Sequence, residues 1–346
     1  MAPEAAVATS DEVVADVGVL PDIGRHEAGG WTVPVAAALI VAALPLVISP
    51  YGQDLVVRIA IYAIFALSLE LLVGATGLVS LGHAAFLGIG AYATVLGSGD
   101  SGGSIALLVP LAVGAAAAYA VVVGALSLRT RGVYFIMVTL AFAQMAYFVI
   151  HDTKVGGGSD GIFLYIKPTL TVAGTTLLDL DDRRALYYTV LGALVFTYAL
   201  IAMLLRSRFG HALAGIRVNE QRMRAAGFST TPYKLAAFVV GGALAGLAGF
   251  LLAAKDGAVN PELLSWHESG AVLLMLIFGG IGSLRGAVLG AVAFTLLREL
   301  FQSEALLGPL ASHWQLTLGL TIIAFVAALP RGLIGLGARL RGVARG

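Results

Sequence analysis

IALLVPLAVGAAAAYAVVVGALS, residues Ile105–Ser127, contains no Asp, Glu, Lys or Arg. A bilayer's hydrocarbon core is about 30 Å thick and takes roughly 20 apolar residues as one helix. This stretch is long enough to cross it. Residues 33–48, 78–97, 133–150, 185–205, 235–254, 269–284, 286–297 and 314–330 are equally free of charge, and 55–73 carries only Arg58 and Glu70. Backbone polar groups in lipid must be paired within the segment, which makes these stretches helices. A membrane β-barrel needs alternating polarity, and runs such as Val113–Val123 have none.

The whole chain fits this reading. Of its 346 residues 59% are hydrophobic and 12% charged, the latter about half the share usual in a soluble domain. Mean hydropathy is +0.92. A disordered chain is excluded by this composition, and a disulfide scaffold by the absence of cysteine. A water-soluble enzyme would lack the polar residues to coat its core. A net charge of +1 gives no sign of nucleic-acid binding.

Charge placement predicts the topology. Residues 1–30 hold six acids against Arg25, with no basic region before an apolar core, so they read as a disordered acidic tail and not a signal peptide. Segment 206–234 carries Arg206, Arg208, Arg217, Arg222, Arg224 and Lys234 against Glu220; 331–346 and the Arg129–Arg131 turn are also basic. All three are expected on the cytoplasmic side. Residues 269–300 would run about 48 Å as one helix, and a single crossing there gives the wrong parity. A break at Gly279–Ser283 resolves both conflicts. Counting back places 151–184 and 98–104 outside and both termini in the cytoplasm. The expected fold is an all-α, polytopic transmembrane helical bundle of about ten spans with two Gly-rich broken helices. It divides into tail 1–30, transmembrane domain 31–330 and a basic cytoplasmic tail, 331–346. The exterior segment 151–184 reads equally as a short strand or a surface helix.

Glycine gathers in two hydrophobic segments, GATGLVSLGHAAFLGIGAYA (Gly74–Ala93) and FGGIGSLRGAVLGA (Phe278–Ala291). Paired interruptions in the two halves of a chain point to a transporter's substrate path, where half-helix N-termini present N–H groups to a carboxylate. The path candidates are Ser80, Gly82, His83, Gly88, Gly280, Gly282 and Ser283. Gly242 and Gly246, four residues apart, read as a close-packing face. His83 is the histidine inside an apolar run, and Ser80 lies three residues before it. On a helix they share a face, so a hydrolytic dyad competes with a packed or path-lining histidine. Glu70 is the intramembrane charge. A carboxylate in a span costs several kcal/mol unless paired or solvated; it either snorkels to the interface or has a function, with an ion-coupled secondary transporter as one alternative. In 206–234, Phe209, Leu213 and Ile216 fall at helical spacing before Arg217 and Glu220, an amphipathic run suited to a membrane surface or a partner's groove. The chain has no Gly-Lys dipeptide, hence no phosphate loop of that type, and no Cys/His cluster for a metal. No cofactor is expected, and nucleotide energy would have to come from another subunit.

GATGLVSLGHAAFLGIGAYA closely resembles the signature of membrane-permease subunits of branched-chain amino-acid ABC importers, the LivM type. RTRGVYFIMVTLAFAQM (Arg129–Met145), GGSDGI (Gly157–Ile162), SRFGHALAGIRVNEQRMRAAGFSTTPYKLAAFVVGGALAGLAG (Ser207–Gly249), GGIGSLRGAVLGA and PRGLIGL follow in the same order. The resemblance covers roughly residues 50–337. It implies a non-enzymatic subunit of the bacterial cytoplasmic (inner) membrane. The implied partners are a second permease subunit, two cytoplasmic ATP-binding subunits that bind the ATP, and an exterior substrate-binding protein. It makes 206–234 the loop that docks on the ATPase, with Phe209, Leu213, Ile216, Arg217, Glu220 and Gly227 as the coupling candidates. The carried solute would be a branched-chain or other hydrophobic amino acid; relatives also handle urea and short amides. Glu70 departs from the family pattern, where Asn is common.

Overall fold

The computed structural model describes residues 32–99, 102–153, 156–172, 175–303, 308, 313–329 and 332–335. The expected tail 1–30 and most of 331–346 lie outside the described residues. Among the described residues twelve α-helices have six residues or more: α1 (Thr32–Ala43), α2 (Pro50–Thr76), α3 (His83–Ser98), α4 (Ile105–Ser127), α5 (Val133–Asp152), α6 (Arg183–Arg206), α7 (Arg208–Val218), α8 (Glu220–Ala225), α9 (Thr230–Asp256), α10 (Trp266–Gly279), α11 (Leu284–Gln302) and α12 (Trp314–Ala328). Four short strands are β1 (Ile162–Phe163), β2 (Thr169–Val172), β3 (Thr175–Asp179) and β4 (Ala258–Val259).

The helix ends follow local chemistry. Ser49 caps α2 by accepting from the Gly52 N–H at 3.3 Å, Pro50 occupies the first turn, and Gly77 closes the helix at φ 73°. Such a left-handed residue is cheap only as glycine. The expected span 55–73 is therefore longer, Pro50–Thr76. The expected span 78–97 is shorter: residues 77–82 leave the helix and α3 starts at His83. A Cβ on Gly82 would overlap the Thr139 carbonyl, so the non-helical stretch is held flat against α5.

α2 and α9 form the centre. In their most apolar stretches 78% and 67% of residues are buried, against 17% in α5 and 12% in the stretch starting at α12. The outer helices present Leu39, Met137, Phe196 and Ile323 outward. An apolar exterior on this scale belongs in lipid, not water. Glycine sets the spacing around α9: a Cβ at Gly242 would lie 2.6 Å from the Ala120 Cβ, and one at Gly246 2.5 Å from the Ala116 Cβ. The four-residue glycine repeat is a packing face against α4, as its spacing indicates.

Six described helices are long and apolar enough to cross a bilayer, or seven stretches if α10 and α11 count as one, fewer than the ten expected. The difference lies in length: α1 and α3 have 12 and 16 residues, and α10 meets α11 at a 116° bend. Gly279, Gly286 and Gly290 bring these two limbs together, since a Cβ on any of them would overlap backbone of the facing limb.

The contacts sort the bundle into two ends. At one, Lys255 bonds Asp54 and Asp256, the Tyr51 hydroxyl donates to Glu299, and β1 pairs with β4. The segment whose conformation the sequence left open holds β1 and the antiparallel β2–β3 hairpin. At the other end lie the close of α2, the α10–α11 bend and the α7–α8 elbow.

Candidate functional site

Three segments converge at the elbow end. Glu70, on α2, is 3% exposed, which excludes snorkelling. Its Oε1 accepts a hydrogen bond from the Gly282 N–H at 2.7 Å. The side chain has room because a Cβ at Gly74 would overlap Oε1. From α7, Arg217 donates through Nη1 to the Gly74 carbonyl, and its positive charge acts on Glu70. Glu70 Oε2 makes no hydrogen bond among the described residues. An unpaired buried acceptor costs about 1–3 kcal/mol, which the guanidinium's charge offsets in part.

The bend is built for this contact. Gly280 and Gly282 have φ of 105° and 97°, conformations that side chains resist. Ser283 caps α11, its Oγ accepting from the Gly286 N–H at 3.0 Å. Glu70 thus lies where a helix N-terminus favours an anion. The sequence reading offers this N-terminus to a substrate carboxylate; in the structure the chain's own carboxylate takes the Gly282 donor.

The other path candidates form a separate group, next to Phe65 and Ser68 of α2. His83 is fully buried, its ring stacked on Phe65 at 5.4 Å, and its Nε2 is 2.8 Å from the Ser68 Oγ. The hydrolytic pairing of His83 with Ser80, one of the alternatives in the sequence, is absent: Ser80 lies outside the helix, and its Oγ accepts from the Gly82 N–H at 3.2 Å. At the start of α3 the Ala84 N–H donates to the Ser269 Oγ at 2.9 Å, so this N-terminus too is partly closed by the chain. Gly88 is where Leu264 packs, because a Cβ there would overlap that side chain. No group of three or more His, Cys, Asp or Glu suited to a metal occurs among the described residues.

The elbow itself is rigidly held. Leu213 and Ile216 are buried and Phe209 stacks on Tyr233 at 5.8 Å. The apolar stripe that reads as a surface for membrane or partner is turned into the chain's own bundle. The large apolar side chains that the elbow exposes are Val218 and Phe228. Glu220 Oε1 receives Arg224 at 2.6 Å, Thr230 at 2.9 Å and Lys234 at 2.9 Å. Burial alone raises the Glu220 carboxyl, but the hydrogen bonds from Lys234, Thr230 and Arg224 and the Lys234 charge outweigh it and hold it down at about 2. Gly227 turns the chain at φ 88° with nothing within 4 Å of its Cβ position.

Sequence reasoning missed Ser68, Ser269 and Gly74 as site residues, and named Lys234 only among the basic residues of the elbow. Ser68 and Ser269 were visible as hydroxyls inside apolar runs, and Lys234 as a cation at a span's edge. Gly74 carried no signal apart from the other glycines.

The family model described as branched-chain amino acid transport system / permease component matches residues 53–327. The high-affinity branched-chain amino acid transport system permease protein LivM of Salmonella typhimurium (strain LT2) is 33% identical over 319 residues, 87% of this chain and 74% of that protein. LivM of Escherichia coli (strain K12) is 32% identical over the same shares. The xylose transport system permease protein XylH of Escherichia coli (strain K12) is 31% identical over 117 residues, 32% of this chain and 30% of that protein. No solved structure matches. A match over most of the length places this chain in the branched-chain amino acid transport system / permease component family.

Proposed function

We propose that this chain is the membrane subunit of an ABC importer that passes branched-chain or other hydrophobic amino acids inward, driven by ATP hydrolysis in two separate subunits. A second permease subunit completes the conduit, and an exterior binding protein delivers the solute to the hairpin end, 151–184. The elbow, 206–234, is the ATPase contact on the cytoplasmic side. Counting α1, α3 and the two limbs of the bent pair as partial crossings gives ten and leaves both termini in the cytoplasm of a bacterium bounded by its inner membrane.

One observation carries the reading: the basic elbow is bonded to the end of α2 at the point where α2 also holds the α10–α11 bend. Force applied to the elbow therefore acts directly on a broken segment of the bundle. Apolar walls around the broken helices would hold an aliphatic side chain only weakly, so selectivity resides mostly in the binding protein.

The test is uptake of labelled leucine into vesicles holding the assembled complex. Uptake is expected with ATP and all subunits, and none when the ATPases are omitted. Concentration of leucine by this chain alone would overturn the proposal.

A further inference from the structure

We infer that Glu70 is a positioning residue, a strut through which displacement of Arg217 on the elbow reaches the Gly280–Ser283 bend. The inference rests on the elbow being the ATPase contact. Glu70 joins two segments separated by most of the chain: its Oε1 is bonded to the Gly282 N–H at 2.7 Å, and one turn along α2 the Gly74 carbonyl receives Arg217.

The bend has little else to hold Gly282. Ile281 is 45% exposed, and nothing lies within 4 Å of a Cβ position at Gly282. Gly280, by contrast, is covered by Gly332. The backbone at Gly282 is thus restrained on its inner side by the Glu70 carboxylate and open on its outer side. Arg217 holds the carbonyl one turn further along α2, so guanidinium, α2 backbone, Glu70 carboxylate and bend are linked in series at the elbow end of the bundle. Polar contacts of this kind have discrete bonded and unbonded arrangements, which suits them to transmit a movement between sites. The position also explains why glycine stands at 74, where any side chain would push the carboxylate off its partner.

The chain has no cysteine, so spin labels can be placed cleanly at Val218→Cys on the elbow and Ile281→Cys on the bend, in the reconstituted complex. In the otherwise unaltered chain, ATP binding by the partner subunits is expected to change the signal at both. In Glu70→Ala the response at 218 persists, while that at 281 falls about fivefold or more, and solute moved per ATP falls with it. Glu70→Gln keeps an oxygen acceptor for Gly282 and is expected to recover part of the response. Gly74→Ala displaces the carboxylate without removing it and should match Glu70→Ala; it carries the test if Glu70→Ala does not assemble. A full response at 281 in Glu70→Ala or Gly74→Ala overturns the strut. A missing response at 218 in the unaltered complex overturns the elbow's role as ATPase contact, and the strut with it.

Discussion

Gly227 and Glu220 show how single residues set the shape of the elbow. Gly227 has space around it but a left-handed backbone, so Gly227→Val acts through strain, costing about 1–3 kcal/mol, and not through a clash. The expected outcome is ATP hydrolysis that persists with much-reduced leucine uptake, read by measuring both in the same vesicles. Glu220 is held below its ordinary value of 4.5, at about 2, by its three donors. A depressed carboxyl contributes stability that is complete above about pH 4.5 and is lost as the pH falls towards 2. Protection of the amides across 219–234, taken relative to their intrinsic exchange rate at each pH, should fall over that window. Lys234→Met should narrow it by letting the carboxyl rise. Of these residues, the basic elbow was legible from sequence because charge beside a span is a local signal. Glu70 was legible as costly, but its partner was not: Gly282 is more than two hundred positions away, and a backbone donor leaves no mark on the sequence.

Among the elements, α9 and the α10–α11 pair depend on glycine for opposite purposes. On α9 glycine brings straight helices together; in the bent pair it lets one helix double back. Gly246→Val puts a branched side chain where a Cβ already stands 2.5 Å from Ala116. Overpacking of that kind costs about 1–3 kcal/mol, and the melting temperature in detergent should fall. Gly114→Ala, on α4 with nothing within 4 Å, should leave it unchanged or raise it slightly. The small-residue spacing of α9 and the break at Gly279–Ser283 were readable because both are periodic or compositional. The boundaries of α2 and α3 were not, since hydropathy does not register the left-handed turn at Gly77. The β2–β3 hairpin was ambiguous for a related reason: its strands are short and their spacing mixed.

For the whole molecule, orientation is the property most exposed to test. A single cysteine at Arg222 should react with an impermeant maleimide only after the cytoplasmic face is opened, and one at Leu177, on the hairpin, from the outside. Labelling in the reverse order would invert the topology. The contacts put the elbow and the β1–β4 pair at opposite ends of the bundle, and the two labels read which end faces the cytoplasm. The intimate fit of α10 against α11 bears on how the protein is made. Fourteen residues of α10 reach only about 21 Å, short of the roughly 30 Å hydrocarbon core, so this limb is a poor candidate to enter the bilayer by itself. The two limbs have to leave the insertion machinery as a closed pair. Bulky substitutions at Gly279 or Gly290 should therefore first be felt in biogenesis, as protein degraded before it ever meets a solute.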